Sequence, residues 1–302
     1  MAKSKISDPS RYLYQLNVNR LEGRMIRLDN KKVESEILFV GGLSANLEYW
    51  WGLIRALSDF GSISAPDLPG IGGMTSFYKI GKRPTIDNYA DYLASYVKLR
   101  YGKRSLIIVG VGFGFVIATR MLAKYPQIAR RVNLVVSLGG YADAEDFKLS
   151  SKVEKAHRFI TYIASKRILS DVLKGTIYSE KMLRWQYGRR LGSKNIKSTA
   201  ASSLINSEVK RWQDSDLRTF GAIVGQLSSF TNCNSPIDVK TWHVFLSEKA
   251  LIRNRVEQHL RIIFNDLTLT SSHKKNNYVL SQNKRTASYF LPSDLKQQLR
   301  SV

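Results

Sequence analysis

The stretch Leu106–Arg120, LIIVGVGFGFVIATR, decides the fold of this chain. It reads as an apolar ribbon, a tight turn on Gly110, Gly112 and Gly114, and a second apolar segment with helical spacing. Strand, glycine turn and helix in that order present either a phosphate-binding row of amides or a single residue on a sharp bend. The first option needs Gly-x-Gly-x-x-Gly with an acidic residue about 20 positions later. Gly110 and Gly112 fit that pattern, but Phe115 stands at the third position and Arg130 and Arg131 stand where the acid belongs. A dinucleotide turn is therefore disfavoured, and the sharp bend is the better reading.

Working outward, apolar runs recur at Ile37–Val40, Ser62–Ala65, Leu106–Val109 and Val132–Leu138. Between them, Leu47–Phe60 and Ile86–Arg100 space their large residues as helices do, and a helix over Gly114–Tyr125 stops at Pro126. That alternation predicts an α/β architecture, a mostly parallel sheet flanked by helices. Towards the N-terminus, Gly23–Arg27 and Ile37–Val40, separated by the polar Asp29–Ser35, suggest a hairpin or meander. From residue 146 to 214 strand signals fade and amphipathic helical segments such as Val153–Ile168 and Ser179–Arg190 take over. An inserted helical lobe is expected there, dividing a core of residues 1–145 from its continuation at 215–302. Sheet signals return at Thr241–Ser247 and, more weakly, Ile262–Thr270, and Arg285–Leu299 is expected as a closing helix.

These pieces resemble the α/β-hydrolase superfamily in order and spacing. Gly110-Val111-Gly112-Phe113-Gly114 resembles its nucleophile elbow, Gly-x-Ser-x-Gly. Ile37–Leu43 (ILFVGGL) looks like the strand and loop that carry the family's His-Gly, with Gly41 in the histidine's place. Ala65–Gly72 (APDLPGIG) is similar to its Pro-Asp-Leu-Pro-Gly-x-Gly strand end, and Thr85–Leu93 to the helix before the elbow. The resemblance implies an α/β-hydrolase fold with a helical cap at the insertion. It also implies oxyanion amides at Leu43 and Phe113, on a loop that includes Gly41 and Gly42.

The departures bear on function. Gly112 takes the place of the nucleophilic serine, so no side chain is there to attack. Aligned on Phe245–Ala250 (FLSEKA), the family's acid position holds Ala250. His273 falls where the resemblance puts the base, and Glu248 is a candidate acid two residues before Ala250. Ser44, Ser137, Asp143 and Asp146 could approach the same space, but structural hydroxyls and helix-entry caps are the duller alternatives. A serine, an imidazole and a carboxylate act as one unit, so losing one costs about as much as losing all. The expectation is a degenerate triad on a non-catalytic ligand-binding or interaction protein. An esterase-like hydrolase or a lyase built on His273 with another nucleophile or acid stays open beside it.

Composition constrains the rest. The 302 residues include 47 Lys and Arg against 24 Asp and Glu, a formal charge of +23, and a single cysteine, Cys233. One cysteine excludes an internal disulfide and suggests a reducing compartment. Met1–Asp8 is polar and basic with no apolar run and cleavage site after it, so a cytoplasmic location is expected. Residues 151–220 hold 15 basic and six acidic residues, which allows attraction to anionic surfaces or nucleic acid as a third reading. In that lobe Lys181, Arg184, Arg189 and Arg190 flank Trp185 and Tyr187, a mixture that could grip a phosphate backbone or simply form a wet helix face. His157, His243 and His259 have no carboxylate or cysteine at metal-ligand spacing, so neither a metal nor a cofactor is expected. Tyr49, Trp50 and Trp51 are expected as core or cavity wall. The partner expected is a small or anionic ligand between sheet and lobe.

Overall fold

The computed structural model describes residues 8–43, 45–147, 163, 165–192, 198–246, 250–272 and 283–302. Its centre is one eight-stranded sheet in the order β1-β2-β4-β3-β5-β6-β7-β8. The strands are β1 Leu13–Val18, β2 Leu21–Leu28, β3 Glu36–Val40, β4 Ser62–Pro66, β5 Leu106–Val111, β6 Val132–Leu138, β7 Thr241–Phe245 and β8 Leu267–Ser271. Pairings from β4 through β3, β5, β6 and β7 to β8 are parallel, whereas β1–β2 and β2–β4 are antiparallel. Every residue of β3, β5 and β7 is buried, because helices cover both faces of a parallel sheet and leave its strands no polar side.

The longer helices are α1 Leu47–Leu57, α2 Ile86–Tyr101, α3 Phe113–Lys124, α4 Arg167–Gly175, α5 Glu180–Gly192, α6 Ser198–Gln213, α7 Leu217–Leu227, α8 Ala250–Ile263 and α9 Ser293–Ser301. On one face α2, α3 and α8 pack over Leu38, Ile108 and Val135; on the other α1 and α9 pack over Phe39, Val109 and Val136. Helix α2 buries Tyr89, Tyr92, Tyr96 and Tyr101. A buried phenol needs an acceptor, and three of these find one in backbone: Tyr89 on Pro69, Tyr92 on Asp67 and Tyr101 on Ile37. Helix α2 thus holds the loop after β4 in place. In chain order α4 to α7 stand between β6 and β7, where the change in sequence texture begins.

Three expectations need correction. The hairpin partner of β2 is β1, not β3, because β4 lies between β2 and β3 in the sheet. The segment Asp29–Ser35 is therefore a crossing to a distant position, and the missed strand β1 alternates Leu16 and Val18 inward. The last segment is not one helix: a short turn of helix over Lys284–Ala287 ends in a 3-10 turn, and Pro292 precedes α9. Proline forces its predecessor, Leu291, out of helical geometry. The weak signal at Ile262–Thr270 is half helix, since α8 runs to Ile263 and β8 starts at Leu267.

The β1–β2 turn places two non-glycine residues at positive φ, Asn19 at 53° and Arg20 at 66°. A two-residue turn with both centres left-handed favours Asn-Gly. Arg20→Gly is expected to raise unfolding stability by about 1 kcal/mol, measured by urea denaturation.

Candidate functional site

The site is built where β5 turns into α3. Gly112 sits at φ 51° and ψ −112°, in backbone space that L side chains reach only with strain. Its N–H donates to Leu138 O at 3.1 Å and its carbonyl accepts from Phe115 N at 3.1 Å, which pins the bend between two strands and a helix. The flanking glycines have steric causes. A Cβ on Gly110 would lie 2.6 Å from Phe115 Cα, and one on Gly114 would overlap the carbonyl oxygen of Val40. A Cβ on Gly112 would meet nothing within 4 Å among the described residues. Of the three glycines of the bend, this one alone has no described neighbour against such a Cβ.

The second wall is the loop after β3. A Cβ on Gly42 would stand 3.2 Å from Val111 O, so the loop lies against the end of β5. A Cβ on Gly41 would stand 2.7 Å from Trp50 Nε1. The Trp50 indole, only 6% exposed, therefore occupies the approach a larger residue at 41 would need. It packs edge-on to Tyr49 at 5.0 Å and tilted to Phe39 at 5.9 Å, and its Nε1–H has no acceptor among the described residues. Trp50 and Trp51 are core. Leu43 is half-buried at the end of this loop, and Phe113 opens α3. The first amides of a helix have no intrahelical acceptor, so the Phe113 N–H is a donor at the positive end of the α3 dipole.

A half-buried ionic cluster lies at the start of α1. Arg24 of β2 donates to Asp67 Oδ2 at 3.0 Å, to Glu48 Oε1 at 2.8 Å and to Gly72 O at 2.8 Å. It joins β2, the loop after β4 and the first turn of α1. Burial pushes the Glu48 carboxyl up, but Arg24 and Lys210 outweigh it and hold it below the ordinary glutamate range. Lys210 comes from α6, 3.6 Å from Glu48 Oε1. The same inserted segment is fastened to the Pro66–Gly73 loop. Gly73 N donates to Asp214 O, Asp216 N donates to Gly70 O, and the hydroxyls of Ser76 and Thr219 meet at 2.9 Å. Arg211 lies 5.6 Å over the Tyr49 ring.

Glu248 and His273, the candidate acid and base, lie outside the described residues, as does Ser44. Ala250, which the resemblance aligns with the family's acid, is the first residue of α8. The other histidines are placed. His243, buried on β7, has Nδ1 2.9 Å from Ser137 Oγ on β6. His259, which the sequence left without a carboxylate partner, has one: its Nδ1 is 2.7 Å from Asp146 Oδ1, whose Oδ2 accepts the amides of Ala142 and Asp143. The residues are 113 apart in the chain, and no local spacing signals the pair. Among the described residues no three metal-ligating side chains come together. In the inserted lobe Arg184 pairs with Glu180 and Asn206, Arg189 lies over Trp185 at 5.0 Å, and Tyr187 accepts from Trp212.

Comparison with known proteins agrees with this geometry. A family model described as alpha/beta hydrolase fold matches residues 37–225. A poly(3-hydroxyalkanoate) depolymerase from Ectopseudomonas oleovorans is 25% identical over 127 residues, 39% of this chain and 44% of that protein. The chain thus matches less than half the length of that curated relative. Among solved structures, a thermophilic esterase from Thermogutta terrifontis superposes with a TM-score of 0.65 at 14% identity, over 96% of this chain and 98% of the other. An epoxide hydrolase from Bacillus megaterium does so with a TM-score of 0.65 at 10% identity, over 96% and 100%. At such identities the likeness is one of fold.

Two outcomes test the site as built. Gly112→Ala should fold with a loss of only about 1–3 kcal/mol, the cost of a side chain at positive φ, whereas Gly114→Ala, driven into the Val40 carbonyl, should lose more or fail to fold in the same urea titration. For Glu48 the folded pKa lies below the unfolded one, so its contribution is complete above the unfolded value of 4.5 and is lost as pH falls through the lowered one. The stability difference between the wild type and Glu48→Gln, read by urea denaturation over a series of pH values, should therefore shrink as pH falls below about 4.5.

Proposed function

The chain belongs to the α/β hydrolase fold family, and on that premise we propose that it uses the fold to hold a ligand and not to hydrolyse one. The observation that carries this reading is Gly112, which keeps the elbow backbone at φ 51° with no side chain of its own to attack and no described residue within 4 Å of where a Cβ would project. Covalent catalysis needs an attacking oxygen or sulfur beside a base. Without it, the amides of Leu43 and Phe113 remain as donors, and oxyanion stabilisation is a backbone property that survives loss of the side chain. In this reading they receive a carbonyl or carboxylate oxygen of a small molecule. In this reading helices α4 to α6 belong to the cap over it, a reading supported by the contacts of Lys210 with Glu48 and of Arg211 with Tyr49.

The alternative keeps His273 as the base of an esterase-like hydrolase or lyase with Glu248 as acid, and a comparison of esters separates the two. Hydrolysis of p-nitrophenyl esters of several acyl lengths should stay at or below about 10⁴-fold over water, the residue left when a triad member is lost. Gly112→Ser should not restore it, because Ala250 offers no carboxylate to orient an imidazole. A wild-type rate that collapses on His273→Ala, or an active Gly112→Ser, would overturn the reading. A carboxylate ligand should change Trp50 fluorescence, with the change absent in Trp50→Phe.

A further inference from the structure

A second cavity, of about 750 Å³, opens on the outer side of α7. Its wall includes Tyr78, Arg83, Lys166, Arg167 and Arg218, over a floor of small residues on α7 that includes Gly221. Neither the Gly41–Leu43 loop nor Gly112 or Phe113 lines it. The rings of Phe77 and Tyr89, edge to face at 4.9 Å, and of Tyr89 and Phe113, edge to face at 5.4 Å, lie on the side towards the elbow.

The lining has four cations and no carboxylate. Arg218 is fixed: its guanidinium lies 3.6 Å over the Tyr78 ring and its Nε donates to Ser165 O at 3.3 Å. The nearby acids are committed elsewhere. Asp216 accepts from Arg218 N and Thr219 Oγ1 as the cap of α7, and Asp87 faces Arg120 at 3.5 Å. Neither Arg83 nor Arg167 has a carboxylate partner among the described residues. Two helix N-termini border the same space: α2, whose amides at Ile86 and Asn88 are already taken by Gln226 Oε1 and Thr85 Oγ1, and α4, which Lys166 leads into without a side-chain cap. The positive end of α4 and the planar guanidinium forks favour the same guest, an oxyanion. The volume lies within the range of small-molecule sites and exceeds what one inorganic anion needs.

We propose that this groove binds a phosphorylated small molecule bearing at least two phosphate charges, gripped by Arg83, Arg167 and Arg218. It is separate from the elbow site and does not depend on the reading of that site. The net charge of +23 draws polyanions to the whole surface, so the test must separate the groove from the charge. Inorganic pyrophosphate is titrated calorimetrically into the full chain at low and at physiological salt. Saturable one-to-one binding is expected. Arg83 is exposed, so Arg83→Glu should fold, and it should weaken binding about tenfold or more, the loss of one charge-assisted contact. Arg218→Lys, which keeps the charge but loses the fork, should weaken it as well. Lys31→Glu with Lys32→Glu, an equal or larger charge change far along the chain, should leave it within about twofold. No binding, or an equal loss in the Lys31/Lys32 variant, overturns the proposal. The source of the phosphates is read from phosphatidylcholine vesicles with and without phosphatidylinositol bisphosphate. Retention that pyrophosphate abolishes and Arg83→Glu weakens assigns a lipid headgroup; no retention assigns a free ligand.

Discussion

Backbone crowding at the start of α3 is the constraint on which the rest depends. The helix turns back so tightly on β5 that residue 110 has no room for a Cβ beside Phe115, and it runs so close to the end of β3 that residue 114 has none beside Val40. With both flanking positions reduced to hydrogen, α3 can lie across β3 and β5, and the sheet order around β5 follows. The central residue of the bend escapes that crowding. No described residue comes within 4 Å of where a Cβ on Gly112 would stand, and the demand its backbone makes is a positive φ. A bend selected for a reactive side chain and a bend without one therefore share the same backbone, and the fold persists whether or not the chemistry does.

The neighbouring loop depends on glycine at 41. The Trp50 indole lies against the backbone there, closer than any side chain at that position would allow. Next to Trp50 on α1, Glu48 is bound by Arg24, which also spans Asp67 and the Gly72 carbonyl. Removing Arg24 would leave the buried Asp67 without its partner. The cluster extends to Lys210, so α6 and the first turn of α1 share one electrostatic anchor.

Charge is spread unevenly in its effect. Much of the basic excess lies on exposed helix faces, where arginines are occupied by neighbours such as Glu180 or Trp185 and solvent screens the remainder. The groove beside α7 differs because Arg218 is immobilised by a ring and a carbonyl, and the positive end of α4 adds to its field. A fixed guanidinium loses less freedom on binding than a mobile one, which makes geometry and not total charge the basis of selectivity.

From the residues alone, the parallel sheet, α1, α2, α3 and the glycine bend were legible, because each is local: periodicity, glycine spacing and a proline stop act within a few positions. The inserted helices were visible as a loss of strand signals, and the basic excess as a count. Other features exist only after folding. The pairing of β2 with β1 and β4, Trp50 against Gly41, the Arg24 bridge, His259 with Asp146 and the Arg218–Tyr78 stack join residues up to 140 positions apart. No local pattern encodes such contacts, since each side chain reads in sequence as an ordinary core aromatic or surface charge. Only the close approach of distant backbone segments decides which of them are buried together and which face a cavity.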